Sequence, residues 1–132
     1  MPEEPKKKVM MLDDEKFLLD LYKIAFQNRG YEVSAFYDVD SGLKALRDGY
    51  EPVIILFDLT LPESKSGYDF LKAVQREGLG KKSLKVAFTN EEQEKALARL
   101  KAMGADDTLL KSKYIPTEVV TEVARLLVKG AK

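Results

Sequence analysis

Five polar side chains stand directly after short apolar runs of the chain, and together they could bind a cation and a phosphoryl group. Asp13 and Asp14 follow the run 9–12, Asp58 follows 53–57, Thr89 follows 86–88 and Lys111 follows 109–110. If these runs are strands of one parallel sheet, the five side chains collect at its carboxyl edge. Three carboxylates, a hydroxyl and an ammonium would suit Mg²⁺ and phosphate there, because Mg²⁺ prefers oxygen ligands and cations neutralise phosphate charge.

The three carboxylates can be given different roles. In a doubly wound sheet of order 2-1-3-4-5, strands 1 and 3 are neighbours at the point where the winding reverses. Asp13 and Asp14 would then lie beside Asp58, and their mutual repulsion calls for a divalent cation or a cationic side chain among them. Because Asp58 stands alone at its strand tip, we predict that it is the nucleophile and that the aspartate pair holds the metal.

A carboxylate that attacks a phosphoryl donor becomes an acyl phosphate. Phosphoryl transfer needs charge neutralisation and in-line positioning more than acid–base groups. Mg²⁺ and Lys111 would supply the neutralising charge, and the Thr89 hydroxyl could hydrogen-bond a phosphoryl oxygen.

The elements that must position these residues alternate along the chain. Apolar strand patterns and amphipathic helix patterns follow one another five times, which implies a parallel α/β sheet with right-handed crossovers and helices on both faces. The predicted strands are 9–12, 31–36, 53–57, 84–88 and 108–110, and the predicted helices are 15–29, 39–48, 68–76, 91–103 and 117–128. We expect a single domain over 8–129, with tails at 1–7 and 130–132.

Composition excludes several classes of function. The chain has no Cys and no His, so thiolate sites, imidazole bases and a phosphohistidine on this chain are ruled out. Lys plus Arg equals Asp plus Glu at 22 each, which offers no positive field for direct nucleic-acid binding. No apolar run is long enough to cross a membrane, so we expect a cytoplasmic protein with no membrane partner.

Four sequence fragments resemble a response-regulator receiver domain, the phospho-aspartate module of two-component signalling, of the chemotaxis-regulator-like kind. The fragments are 9–15, 54–62, 86–89 and 104–111, in the order and spacing of that family. The resemblance implies a flavodoxin-like fold in which Asp58 accepts phosphate from a sensor histidine kinase or a histidine phosphotransfer protein.

The resemblance also implies the ligands around Asp58. The Mg²⁺ ligands would be Asp13, Asp14, Asp58 and the backbone carbonyl of Thr60. Thr89 and Lys111 would contact the phosphoryl group and signal to a downstream protein of unknown identity through the surface around the fourth and fifth helices. We expect a stand-alone phospho-acceptor rather than an enzyme.

Three positions depart from the family pattern. Ser112 follows Lys111 where the family usually has proline, so a cis peptide is not expected at this bond. Thr108 stands where the family usually has an aromatic switch residue, so such a switch cannot operate at that position. The loop between Pro62 and Gly67 is one residue longer than the common pattern.

Simpler structural interpretations exist for single residues. Asp14 could be only the N-cap of the first helix, and Asp13 a turn residue. Thr89 could begin a capping box with Glu92, and Lys111 could be a solvated charge. Their joint pattern favours the functional interpretation.

Two alternative functions remain open. A degenerate receiver could bind a partner without phosphorylation, as the departures at Thr108 and Ser112 suggest. A phosphotransferase or phosphatase of the haloacid-dehalogenase type also uses a strand-terminal aspartate, but Thr60 stands where those enzymes usually carry a second aspartate.

Overall fold

The computed structural model describes residues 6–61 and 65–130, and within these ranges helices alternate with the strands of one parallel sheet. The strands are β1 (Lys8–Leu12), β2 (Glu32–Phe36), β3 (Ile54–Phe57), β4 (Leu84–Thr89) and β5 (Asp107–Leu110). The helices are α1 (Lys16–Gln27), α2 (Val39–Arg47), α3 (Gly67–Glu77), α4 (Glu94–Ala102) and α5 (Pro116–Lys129), with a 3₁₀ turn at Lys111–Lys113. Most of the predicted tails, and residues 62–64 of the long loop, lie outside the described residues.

The order of the strands is β2-β1-β3-β4-β5, as predicted. β1 pairs in parallel with both β2 and β3, and Leu12 lies opposite Phe36 on one side and Phe57 on the other. The pairing continues one residue further, since Asp13 N–H donates to Phe36 O at 3.0 Å and Asp58 N–H donates to Leu12 O at 2.9 Å. This register brings Asp13 and Asp58 to the same sheet edge.

Both faces of the sheet are covered by apolar side chains, which explains why the central strand β3 is an unbroken hydrophobic run. On one face, Val9, Met11, Leu56 and Val86 pack with α1 and α5. On the other, strand residues including Ile55 pack with α2, α3 and α4. β3 is buried at every position, as its β-branched sequence predicted.

Two helix starts differ from the simpler interpretations of single residues. The N-cap of α1 is Glu15 rather than Asp14, and it makes no side-chain capping bond. Helix α4 begins at Glu94, later than predicted, while Thr89 is the last residue of β4. The interpretations of Asp14 and Thr89 as helix caps are therefore both wrong. In the case of Thr89, strand pairing carries the residue into the sheet, and residues 90–93 separate it from α4.

The buried face of α1 is narrower than its sequence suggested. Leu21 is one of the apolar residues of the helical pattern 15–29, but it is 39% exposed. The buried positions of this helix are Leu19, Tyr22, Ala25 and Phe26. Leu21 lies about 100° around the helix from Tyr22 and turns away from the sheet and α5.

Gly67 fixes the start of α3 against the backbone that follows β3. Its N–H donates to Leu59 O at 3.1 Å. A Cβ at this position would lie 2.1 Å from Asp58 O and 2.8 Å from Leu59 Cα. Only glycine allows this approach, so the helix is held directly beside Asp58. Ser66 caps the helix in a reciprocal capping box with Asp69.

We expect Gly67→Ala to lower the free energy of unfolding by about 1–3 kcal/mol, because backbone must move to admit the methyl group. Urea unfolding followed by circular dichroism measures this. The matched control is Gly42→Ala, whose methyl group would meet the flexible end of Met10 at 3.0 Å. Equal stabilities for the two variants would contradict the close packing at Gly67.

Candidate functional site

The carboxyl edge of the sheet brings all of the predicted site residues into one region. Asp13 and Asp14 follow β1, Asp58 follows β3, Thr89 ends β4 and Lys111 opens the 3₁₀ turn after β5. Of these, Asp13, Asp58, Thr89 and Lys111 are buried, while Asp14 is exposed. A buried carboxylate needs a compensating charge or hydrogen bond, and the structure supplies a compensating charge for both Asp13 and Asp58.

Lys111 carries that charge. Its Nζ lies 2.5 Å from Asp13 Oδ2 and 2.9 Å from Asp58 Oδ2, and it donates a hydrogen bond to Asp58. The ammonium is 5.9 Å from the centre of the Phe88 ring, at the outer limit of a cation–π contact. Lys111 is therefore a bridging charge rather than a solvated one.

The protonation of this group is set by burial and by the ammonium. Burial raises the pKa of Asp13, while contacts with Lys111 and with the Glu15 N–H oppose the rise. Burial alone would lower the pKa of Lys111, but its contacts with the Asp13 and Asp58 carboxylates outweigh burial and raise this pKa. The lysine stays charged at neutral pH and offsets one of the two buried negative charges.

The cluster retains capacity for a divalent cation. Oxygens of Asp13, Asp14 and Asp58 all lie within 4.8 Å of one another. Asp13 Oδ2 accepts no well-directed hydrogen bond from any described residue, although Lys111 Nζ is close, so the pairing rests on charge and leaves lone pairs available. Carboxylate oxygens with one ammonium among them fit a hard cation, and three acidic groups would bind it more strongly than two.

The backbone of Thr60 contacts Asp58, the predicted nucleophile. Its N–H donates to Asp58 Oδ1 at 3.3 Å, so the two oxygens of Asp58 have different partners. This contact brings the Thr60 main chain to the acidic cluster, where the family resemblance implied a carbonyl ligand.

An open cavity of about 540 Å³ adjoins Asp58. Its walls include Thr60, Ser66, Tyr68 and Thr89. The Thr89 hydroxyl oxygen accepts from Glu91 N–H at 3.4 Å, which leaves its own proton available to a group in the cavity. A phosphoryl group on Asp58 has room here, with a hydroxyl donor at the wall.

Sequence reasoning missed Asn90, which joins two of the loops at this edge. Its Oδ1 accepts from Ser112 N–H at 2.9 Å, so the segment after β4 is tied to the turn that carries Lys111. No cis peptide bond occurs in the described ranges, in agreement with the expectation for Ser112. The location of Asn90 directly after Thr89 could have marked it as a residue near the site. It gave no indication that its partner lies 22 residues away.

Comparison with known proteins decides the family. The family model for the response regulator receiver domain matches residues 9–123. The chain belongs to this family. The match covers every strand except the first residue of β1, so the fold and the family agree.

Relatives of this receiver domain include full-length regulators. It is 28% identical over 124 residues to the response regulator SaeR of Staphylococcus epidermidis, covering 94% of this chain and 52% of that protein. It is 29% identical to the alkaline phosphatase synthesis transcriptional regulatory protein PhoP of Bacillus subtilis, covering 92% and 48%. The chain thus spans about half the length of the curated relatives it matches.

Solved structures show the same fold. A CheY-like receiver domain protein of Methanospirillum hungatei superposes with a TM-score of 0.83 at 22% identity, covering 95% of this chain and 96% of that one. The chemotaxis protein CheY4 of Vibrio cholerae gives 0.83 at 25% identity, covering 93% and 100%. Across the described ranges, none of the helices has the length and apolar character that a bilayer crossing requires.

Removing the Lys111 charge leaves two buried carboxylates without their cation. In buffer free of divalent cations, we expect Lys111→Met to lower the free energy of unfolding on the order of 3 kcal/mol, as for other broken buried ion pairs. Urea titration measures the change, and Lys113→Met, an exposed lysine of the same turn, is the control. If the two variants unfold alike, the bridging role of Lys111 is wrong.

Proposed function

We propose that this receiver domain accepts a phosphoryl group on Asp58 and signals through protein–protein contacts. The observation that carries the proposal is the position of the Lys111 ammonium, 2.5 Å from Asp13 and 2.9 Å from Asp58, beside an open cavity with a threonine hydroxyl at its wall. Asp13, Asp14, Asp58 and the Thr60 carbonyl would hold Mg²⁺.

The phosphoryl donor is a phosphohistidine of a sensor histidine kinase or a histidine phosphotransfer protein, since receiver domains use histidine kinases as phosphodonors. A carboxylate oxygen of Asp58 attacks phosphorus and forms an O–P bond. The P–N bond of phosphohistidine breaks, and its electron pair leaves with the imidazole nitrogen, which takes a proton from solvent. The product is an aspartyl phosphate.

The residues around Asp58 fit the charge requirements of this step. When bound, Mg²⁺ supplies positive charge that offsets the phosphoryl oxygens. Lys111 keeps its proton, because its pKa is raised, and it contacts the attacking carboxylate. Thr89 presents a hydroxyl proton from the wall of the cavity. No residue has to act as a general base, because the nucleophile is already an anion.

The alternatives receive less support from these contacts. A phosphorylation-independent receiver would not require Lys111 to be desolvated between two carboxylates, yet the lysine is 8% exposed. A phosphatase of the haloacid-dehalogenase type would need an acid–base group near Asp58, and Thr60 offers only its N–H to that carboxylate. The proposal concerns the receiver unit, whether its signal passes to another protein or to another part of a longer chain.

Incubation with acetyl phosphate and Mg²⁺ should add one phosphoryl group per molecule, and tandem mass spectrometry should place it on Asp58. Asp58→Asn should abolish the product, and chelation of divalent cations should lower its rate at least ~10-fold, because uncompensated charge opposes the donor.

Asp20→Asn, which alters an exposed carboxylate of α1, is the matched control and should be phosphorylated like the wild type. Phosphorylation that persists in Asp58→Asn, or none in the wild type, would refute the proposal.

A further inference from the structure

Helix α4 is the least firmly packed helix of the domain. Leu100 is its single buried residue, whereas each of the other four α-helices buries at least four. Its N-cap, Gln93, makes no side-chain capping bond. An element with few buried contacts moves at low free-energy cost. A change at the neighbouring cavity could therefore reposition α4 without disturbing the sheet.

Tyr68 lies between this helix and the cavity beside Asp58. It lines that cavity together with Asp58 and Thr89. Its ring is half-buried and packs against the apolar side chains on the face of the sheet that α2, α3 and α4 cover. The guanidinium carbon of Arg99, on α4, stands 4.1 Å from the ring centre, well within cation–π distance. Tyr68 thus contacts the cavity and the loosely packed helix at the same time.

The backbone of Tyr68 is also coupled to Asp58. The preceding residue, Gly67, bonds Leu59 O at 3.1 Å and packs so closely on the Asp58 carbonyl that no Cβ fits. A shift of the main chain at Asp58 must therefore move the start of α3 and the tyrosine with it. Because the tyrosine ring is rigid, a movement of its backbone also moves the far end of the ring.

A second part of the cavity lining leads into α4 as well. Thr89, Asn90 and Glu91 border the cavity, and the irregular segment 90–93 connects them to the helix. A group that fills the cavity and attracts the Thr89 hydroxyl would pull on this segment and so on the start of α4. Two parts of the cavity lining, Tyr68 and the segment that follows Thr89, therefore lead to α4.

We propose that Tyr68 is a positioning residue that transmits occupancy of the cavity beside Asp58 to α4 through its contact with Arg99. The inference rests on the function proposed above. The proposed route leads from the site beside Asp58 through Tyr68 of α3 to the surface of α4. No sequence feature gave a reason to select Tyr68.

The test uses backbone amide NMR shifts of the whole protein, recorded before and after addition of Mg²⁺ and beryllofluoride, a phosphoryl mimic. In the wild type, shifts should occur around Asp58 and in α4. Arg99→Gln, which changes no residue of the cavity lining, should keep the shifts around Asp58 but reduce the mean shift in α4 to less than half of the wild-type value. Tyr68→Leu should reduce the shift in α4 likewise, and Tyr68→Phe, which retains the ring, should keep it.

Matched controls separate this role from general destabilisation. Lys101→Gln removes one exposed positive charge from the same helix, and Tyr31→Leu removes a half-buried ring that packs on Phe26 at 5.5 Å. Both should respond like the wild type.

The outcomes distinguish the two proposals. If the wild type shows no shifts around Asp58, the proposed function fails and this route fails with it. If shifts around Asp58 appear but α4 responds equally in Tyr68→Leu, Arg99→Gln and the wild type, the route is wrong while the proposed function stands. A wild-type response that stops short of α4 also overturns the route.

Discussion

The repulsion between buried carboxylates at one sheet edge is the constraint on which the site depends. Asp13 and Asp58 are both nearly inaccessible to solvent, and two such charges are tolerated only with a cation between them. Lys111, which follows the edge strand β5, provides that cation. A single ammonium leaves the cluster with excess negative charge once Asp14 is included. We propose this excess as the physical basis for binding a divalent cation and then a phosphoryl group.

Rigid elements hold this unfavourable arrangement in place. Strand pairing continues through the backbone of Asp13 and Asp58, so neither carboxylate can move far from the other. Gly67 locks α3 onto the main chain beside Asp58, while Asn90 and Ser112 join the loops after β4 and β5. The weakly packed α4 is the exception. Rigidity near the acidic cluster and looseness in one adjoining helix are what a switch requires, because a small local change must reach the surface.

Much of this could be predicted from the sequence because its signals are local and periodic. Unbroken apolar runs such as 53–57 indicated buried parallel strands, and a polar residue after each run indicated the site edge. Helix starts were less predictable: Thr89 matches a capping box, yet strand pairing takes it into β4. The contacts of Asn90 and Tyr68 join residues distant in sequence, and neither periodicity nor spacing encodes such pairs. Side-chain direction at Lys111 likewise follows from tertiary packing.

We propose that Asp13, Asp14, Asp58 and Lys111 act together on one metal ion and one phosphoryl group. A crystal structure of the protein with Mg²⁺ and beryllofluoride would show whether they do. We expect beryllium on an oxygen of Asp58, the metal on Asp13, Asp14, Asp58 and the Thr60 carbonyl, and fluorine atoms in contact with Lys111 and Thr89. A metal bound elsewhere, or an Asp58 carboxylate that carries no beryllium while Lys111 still covers it, would overturn this proposal.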